Sequence, residues 1–191
     1  MYDLLIQNAR ILDGTGAPWF YGDLAVKDGK IAAIGKVTGQ AKTVVDAAGQ
    51  YLSPGFIDIH SHSDGAILDC PTAESRILQG VTTDVGGNCG SSVAPTEKYP
   101  TMADYLATVE QARPSINAAT LVGHGTLRKA VMGYSREEAT QEQIGQMRDL
   151  TAQAMEDGAY GISTGLIYPP SCYSTTEELV RYALRAMVMK G

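Results

Sequence analysis

Phe56-Ile57-Asp58-Ile59-His60-Ser61-His62, entered through Pro54-Gly55, is an apolar run that ends in two histidines. A short apolar run bounded by turn residues reads as a buried strand. Both imidazoles then fall at its C-terminal end, where α/β folds build their sites. Three further runs share that character: VTTDV at 81 to 85, NAATLVGH at 117 to 124 and AYGIS at 159 to 163. Helical stretches separate them. Strand, helix, strand at this rhythm predicts parallel βαβ units with right-handed crossovers.

The clearest helix lies between the third and fourth of these strands. Ser135-Arg136-Glu137-Glu138 and Thr140-Gln141-Glu142-Gln143 both have capping-box form, Ile144, Met147 and Leu150 keep helical spacing, and Asp157-Gly158 closes the segment. A last helix is expected from Thr175-Thr176-Glu177-Glu178, with Leu179, Tyr182, Leu184 and Met187 as its apolar positions.

Upstream of Pro54 the pattern is different. Residues 3 to 53 read as strand and turn, with Asp28-Gly29 a hairpin turn between two alternating runs. This divides the chain into a β segment, 1–55, and an α/β segment, 56–191. The second segment holds four βα units, where a closed (β/α)₈ barrel of about 250 residues needs eight. The expected class is therefore α/β: an incomplete TIM-type barrel, its first four βα units, with a small N-terminal β-sandwich-like domain. The chain ends on an amphipathic helix, which favours half a barrel over a small open sheet.

Composition narrows the function. Lys and Arg number 15 against 21 Asp and Glu, a net charge of −6, and no basic cluster stands out. Nucleic acid and anionic membranes are poor partners for such a chain. No secretory leader and no apolar stretch of membrane-spanning length is visible, so a cytoplasmic protein is expected. Three widely spaced cysteines, Cys70, Cys89 and Cys172, do not form a disulfide framework. A special cysteine among them is a ligand or a nucleophile.

With a period of two, His60 and His62 face one side and can share a metal ion, and Asp58 points with them, with Asp64 close behind, so carboxylates are available as ligands or as orienters of an imidazole. The bland reading is a pair of hydrogen-bonded surface histidines. Cys89, in Gly86-Gly87-Asn88-Cys89-Gly90 just after the second parallel strand, can bring a thiolate to the same rim. A buried small hydrophobe is the alternative for a lone cysteine. His124, at the end of the third strand, reads as a substrate contact, a hydrogen bond behind the metal, or a loop histidine satisfied by backbone. Tyr168, in the loop after the fourth strand, can hold a carboxylate or polarise a carbonyl with its hydroxyl. Cys70 and Cys172 have no such setting. Gly161-Ile162-Ser163-Thr164-Gly165 matches the hydrolase nucleophile string, but Leu-Ile-Tyr-Pro-Pro follows instead of a helix.

Four strings then carry a resemblance: LLIQNARILDGTG from Leu4, GDLAVKDGKIAAIG from Gly22, VVDAAGQYLSPGFIDIHSH from Val44 and VTTDVGGNCGSS from Val81. Together with Gly-His-Gly-Thr-Leu-Arg from Gly123 and Ser-Thr-Gly-Leu-Ile-Tyr-Pro-Pro from Ser163, they resemble the amidohydrolase superfamily and its D-aminoacylase (N-acyl-D-amino-acid deacylase) branch. Hydantoinases and dihydroorotases share the His-x-His but usually bridge their metals with a carboxylated lysine. The deacylases use a cysteine, which Cys89 resembles.

The resemblance implies zinc, one or two ions, held by His60, His62 and Cys89. It also implies hydrolysis of an N-acyl-D-amino acid to a carboxylate and a free D-amino acid. The further zinc histidines and the acid/base aspartate of the family belong to later barrel strands, beyond residue 191. Activity of these residues alone is therefore not expected, and the open half-barrel is expected to self-associate. A hydantoinase- or dihydroorotase-like cyclic amidohydrolase and a non-catalytic truncated fragment are the alternatives.

Overall fold

The computed structural model describes residues 1–188. Two compact units divide it, Met1–Gly55 and Phe56–Gly191. The first is a single five-stranded sheet built on β1 (Tyr2–Ile11), with β2 (Phe20–Lys27) antiparallel on one side and β4 (Ala41–Asp46) and β5 (Tyr51–Leu52) parallel on the other. The outer strand β3 (Lys30–Gly35) returns from β2 through the expected Asp28-Gly29 turn, in which both residues have positive φ. Leu5, Ala9, Ile11 and Ala25 are the buried apolar residues of this layer. A register shift between Ile6 and Ala9 bends β1, and Asn8 takes the left-handed conformation there. Its amide donates to Asp46 on β4.

The second unit carries four parallel strands in sequence order: β6 (Phe56–Asp58), β7 (Val81–Gly86), β8 (Asn117–Gly123) and β9 (Gly161–Ser163). Helices α1 (Ala66–Asp69) and α2 (Glu74–Ile77) join the first pair, α3 (Met102–Ala112) the second, and α4 (His124–Met132) with α5 (Gln141–Glu156) the third. After β9 come a 3₁₀ turn (Ser171–Tyr173) and α6 (Thr176–Val188). One core cluster serves the unit, with Val122 of β8, Leu127 of α4, Met102 and Tyr105 of α3 and Met147 of α5 at its centre. Tyr182, Leu184 and Met187 lie outside the residues whose side chains are described.

Local differences from the sequence reading have identifiable causes. Strand β6 stops at Asp58 instead of His60, because the His60 N–H donates to the Asp58 side chain. Of the two capping boxes, only Thr140 and Gln143 close one at a helix start. Ser135 stays in a loop, where Arg128 of α4 donates to the Glu137 carbonyl and commits that backbone to a tertiary bond. Thr101 and Asp104 form a full capping box at the start of α3.

Candidate metal centre

The ends of β6 and β7 bring three ligand-type side chains together. His60 Nε2 lies 3.3 Å from Cys89 Sγ, and the ligand atoms of His60, His62 and Cys89 all fall within 4.8 Å of one another. At Zn–N of about 2.0–2.1 Å and Zn–S of about 2.3 Å, tetrahedral ligand atoms stand roughly 3.3–3.6 Å apart. The His60–Cys89 pair stands at this spacing, and His62 lies within 4.8 Å of both, near enough for two imidazoles and one thiol to suit a zinc ion. His62 and Cys89 line a groove of about 1120 Å³ that Tyr168, Lys98 and Lys129 also line.

The position of Cys89 follows from interlocked loops. Cys89 itself is left-handed, φ 55°. A Cβ on Gly87 would overlap the Leu121 backbone of β8, and one on Gly165 would overlap the Cys89 carbonyl, so glycine at both places lets three strand-end loops close on each other. Ser163 Oγ donates to the Gly87 carbonyl at 2.5 Å and accepts from the Gly90 N–H at 2.9 Å. The hydroxyl of the hydrolase-like string therefore pins the cysteine loop. Asn88 ties that loop to the histidines, its amide donating to the carbonyls of Ser61 and Val85.

The carboxylates arrange differently from the alternation argument. Asp58 does not join the histidines: its Oδ2 receives Arg76 Nη1 at 2.8 Å. The strand has ended by then, and a period of two no longer sets where side chains point. Asp64 is outside the ligand group as well. Its carbonyl accepts from the Tyr105 hydroxyl at 2.8 Å. Burial, with the nearby charges of the Asp64 carboxylate and the Tyr99 hydroxyl, pushes the Tyr105 phenol well above its ordinary range, so it stays a donor.

His124 opens α4 and is fully buried, so it presents no exposed atom to a ligand in the groove. Its Nε2 lies 2.9 Å from Glu178 Oε1, whose other oxygen receives Arg128. Burial raises the Glu178 carboxyl, but hydrogen bonds from His124 and Arg128 with their charge outweigh it, and the group titrates below the usual carboxylate value. Thr164 Oγ1, beside the loop glycine packed on Cys89, stands 3.5 Å from His124 Nδ1. The cluster braces the rim from behind. Asp84, Arg76, Asn88 and Glu178 escaped the sequence reading, although an aspartate inside an apolar strand signals a buried partner.

The sequence profile described as the Amidohydrolase family matches residues 43–189, which include all three ligand-type residues. The chain belongs to the amidohydrolase family. Within the family it is 42% identical to a D-aminoacylase from Alcaligenes xylosoxydans xylosoxydans over 94% of this chain and 41% of that protein. A crystal structure of N-acyl-D-glutamate deacylase from Bordetella bronchiseptica superposes with a TM-score of 0.93 at 38% identity, over 98% of this chain and 43% of that one. That structure holds zinc and a phosphonate inhibitor that mimics the tetrahedral intermediate. An L-hydantoinase from Arthrobacter aurescens, at 24% identity over 85% of this chain and 32% of that one, has a TM-score of 0.57 and shares the fold alone. This amidohydrolase chain spans about two fifths of the length of the curated relatives it matches.

Proposed function

We propose that the chain supplies one side of the zinc site of an N-acyl-D-amino-acid deacylase, with His60, His62 and Cys89 as ligands. The single observation that carries this reading is the thiol of Cys89 at 3.3 Å from His60 Nε2. A thiolate beside the His-x-His pair favours the deacylases over the cyclic amidohydrolases. Zinc in such a site polarises a carbonyl and lowers the pKa of a water towards about 7. Tyr168 lines the groove with His62 and Cys89, which supports its assignment to holding the substrate carboxylate or carbonyl. His124 acts through the rim it braces instead of by contact. An odd, widely spaced set of three cysteines with no disulfide framework in the sequence favours a cytoplasmic setting.

The sequence contains three histidines, and the third is bound to Glu178. These residues therefore offer a metal two imidazoles and one thiolate, and the acid/base aspartate is expected outside them. The test is release of D-amino acids from N-acetyl-D-amino acids in the presence of zinc. The 191-residue chain alone is expected to be silent, and the same chain joined to the remaining part of the Alcaligenes relative is expected to be active. Activity that persists after Cys89→Ser, or a preference of the joined protein for cyclic amides, would overturn the reading.

A further inference from the structure

Ser61 sits between the two candidate histidines and is buried, while both of them are exposed. Its hydroxyl is fully engaged. Ser61 Oγ donates to Asp84 Oδ2 at 3.1 Å and accepts from Arg76 Nη2 at 3.0 Å and from the Ser63 N–H at 3.1 Å. One hydrogen and two lone pairs are all that a serine hydroxyl has, so its direction is fixed. Fixing Ser61 fixes the peptide units that carry His60 and His62.

A single guanidinium organises the rest. Arg76 of α2 sends Nη1 to Asp58 Oδ2 at 2.8 Å, Nη2 to Ser61 and Nε towards Asp84 Oδ2 at 3.4 Å. Asp58 passes the restraint on, its Oδ1 accepting the His60 N–H at 3.2 Å. Asp84, 1% exposed, lies on β7, the strand that leads into the Cys89 loop, and its Oδ2 also takes the Ser63 hydroxyl at 2.5 Å. Among the described residues Asp84 Oδ1 has no hydrogen-bond partner, so every restraint on this buried carboxylate runs through Oδ2. Two carboxylates from adjacent strands and the serine of the His-x-His thus converge on one planar fork.

We infer that Arg76 is a positioning residue of the metal centre, aiming His60 and His62 at Cys89 from the far side of the His-x-His loop. The inference rests on the metal reading of those three residues and assigns Arg76 no contact with the ion or the substrate. Lysine cannot replace it, because a point charge on a flexible stem does not span three acceptors in one plane. Partners behind metal ligands typically set 10- to 100-fold in affinity.

The experiment is cobalt titration of the protein, followed by the thiolate-to-cobalt absorption band, in wild type, Arg76→Ala, Arg76→Lys and Ser61→Ala. Half-saturation is expected to move to roughly 10- to 100-fold higher cobalt in Arg76→Ala, with a shifted band, and Arg76→Lys is expected to recover little of the loss. Ser61→Ala, which leaves both ion pairs in place, is expected to weaken binding in the same direction, and it carries the test if Arg76→Ala does not fold. A lowered melting temperature with an unchanged cobalt titration overturns the inference and leaves the metal reading standing. A wild-type protein with no thiolate band, or a band that survives Cys89→Ser, overturns the metal reading and the role of Arg76 together.

Discussion

His60 Nε2 and Cys89 Sγ meet at 3.3 Å although 29 positions separate them in the chain. The contact exists because β6 and β7 are parallel neighbours whose C-terminal ends open on the same side. Adjacent strands are about 4.8 Å apart, close enough for side chains at both ends to share one ion.

Zinc or cobalt is expected to bind the 191-residue chain weakly, since three ligands leave the ion partly exposed. Replacing His62 by alanine should weaken it further, by about tenfold or more, without altering the fold, because His62 is exposed. Equilibrium dialysis with metal analysis of both proteins checks this, and equal affinity would remove His62 from the site.

Glu178→Ala is expected to destabilise the second unit by about 3–5 kcal/mol, since it strands the buried Arg128 guanidinium without its carboxylate. Urea unfolding followed by circular dichroism gives the number. A loss below about 1 kcal/mol would mean that the cluster is held by other contacts.

The same carboxylate gives a pH signature. Its folded-state pKa lies below the ordinary value of 4.5, so the stabilisation is fully present above about that pH and is lost as pH falls through the folded-state value. Stability measured downwards from neutrality should therefore fall in acid more steeply in the wild type than in Glu178→Gln. Parallel curves for the two proteins would contradict the assignment.

Gly165→Ala places a methyl group against the Cys89 carbonyl, which is backbone and cannot turn aside. A loss of about 1–3 kcal/mol is expected, together with a weaker thiolate-to-cobalt band, because the loop that presents Cys89 must move. Gly145→Ala, on open helix surface with nothing near the added carbon, is the control and should be neutral or slightly stabilising.

Phe56, Ile57 and Ile59 are 62%, 62% and 75% exposed around the β6 strand. Apolar residues clustered at one sheet position favour association, so the chain is expected to form oligomers as its concentration rises. Sedimentation velocity across a concentration series tests this; a monodisperse monomer throughout would rule it out.

The sequence by itself determined the two-part division, the four parallel strands and the three ligand-type residues, because each is written in local pattern. Apolar runs of strand length mark β6 to β9. Asp28-Gly29 marks the hairpin, and a His-x-His at a strand end marks the rim. Tertiary structure decided where the polar side chains point. His124 reads locally as a rim residue, yet it is buried on Glu178, 54 positions away, because α6, packed on α5 and β9, brings that carboxylate to it. Asp58 reads by alternation as a ligand or an orienter of an imidazole, yet it pairs with Arg76 and takes the His60 N–H, because strand geometry ends at Asp58 and a guanidinium arrives from α2. Ser163, whose string lacks the helix a nucleophile elbow needs, holds the Cys89 loop through the Gly87 carbonyl and the Gly90 N–H. Hydrogen bonds and ion pairs between distant segments fix these directions, and they form only when the sheet has brought the strand ends side by side.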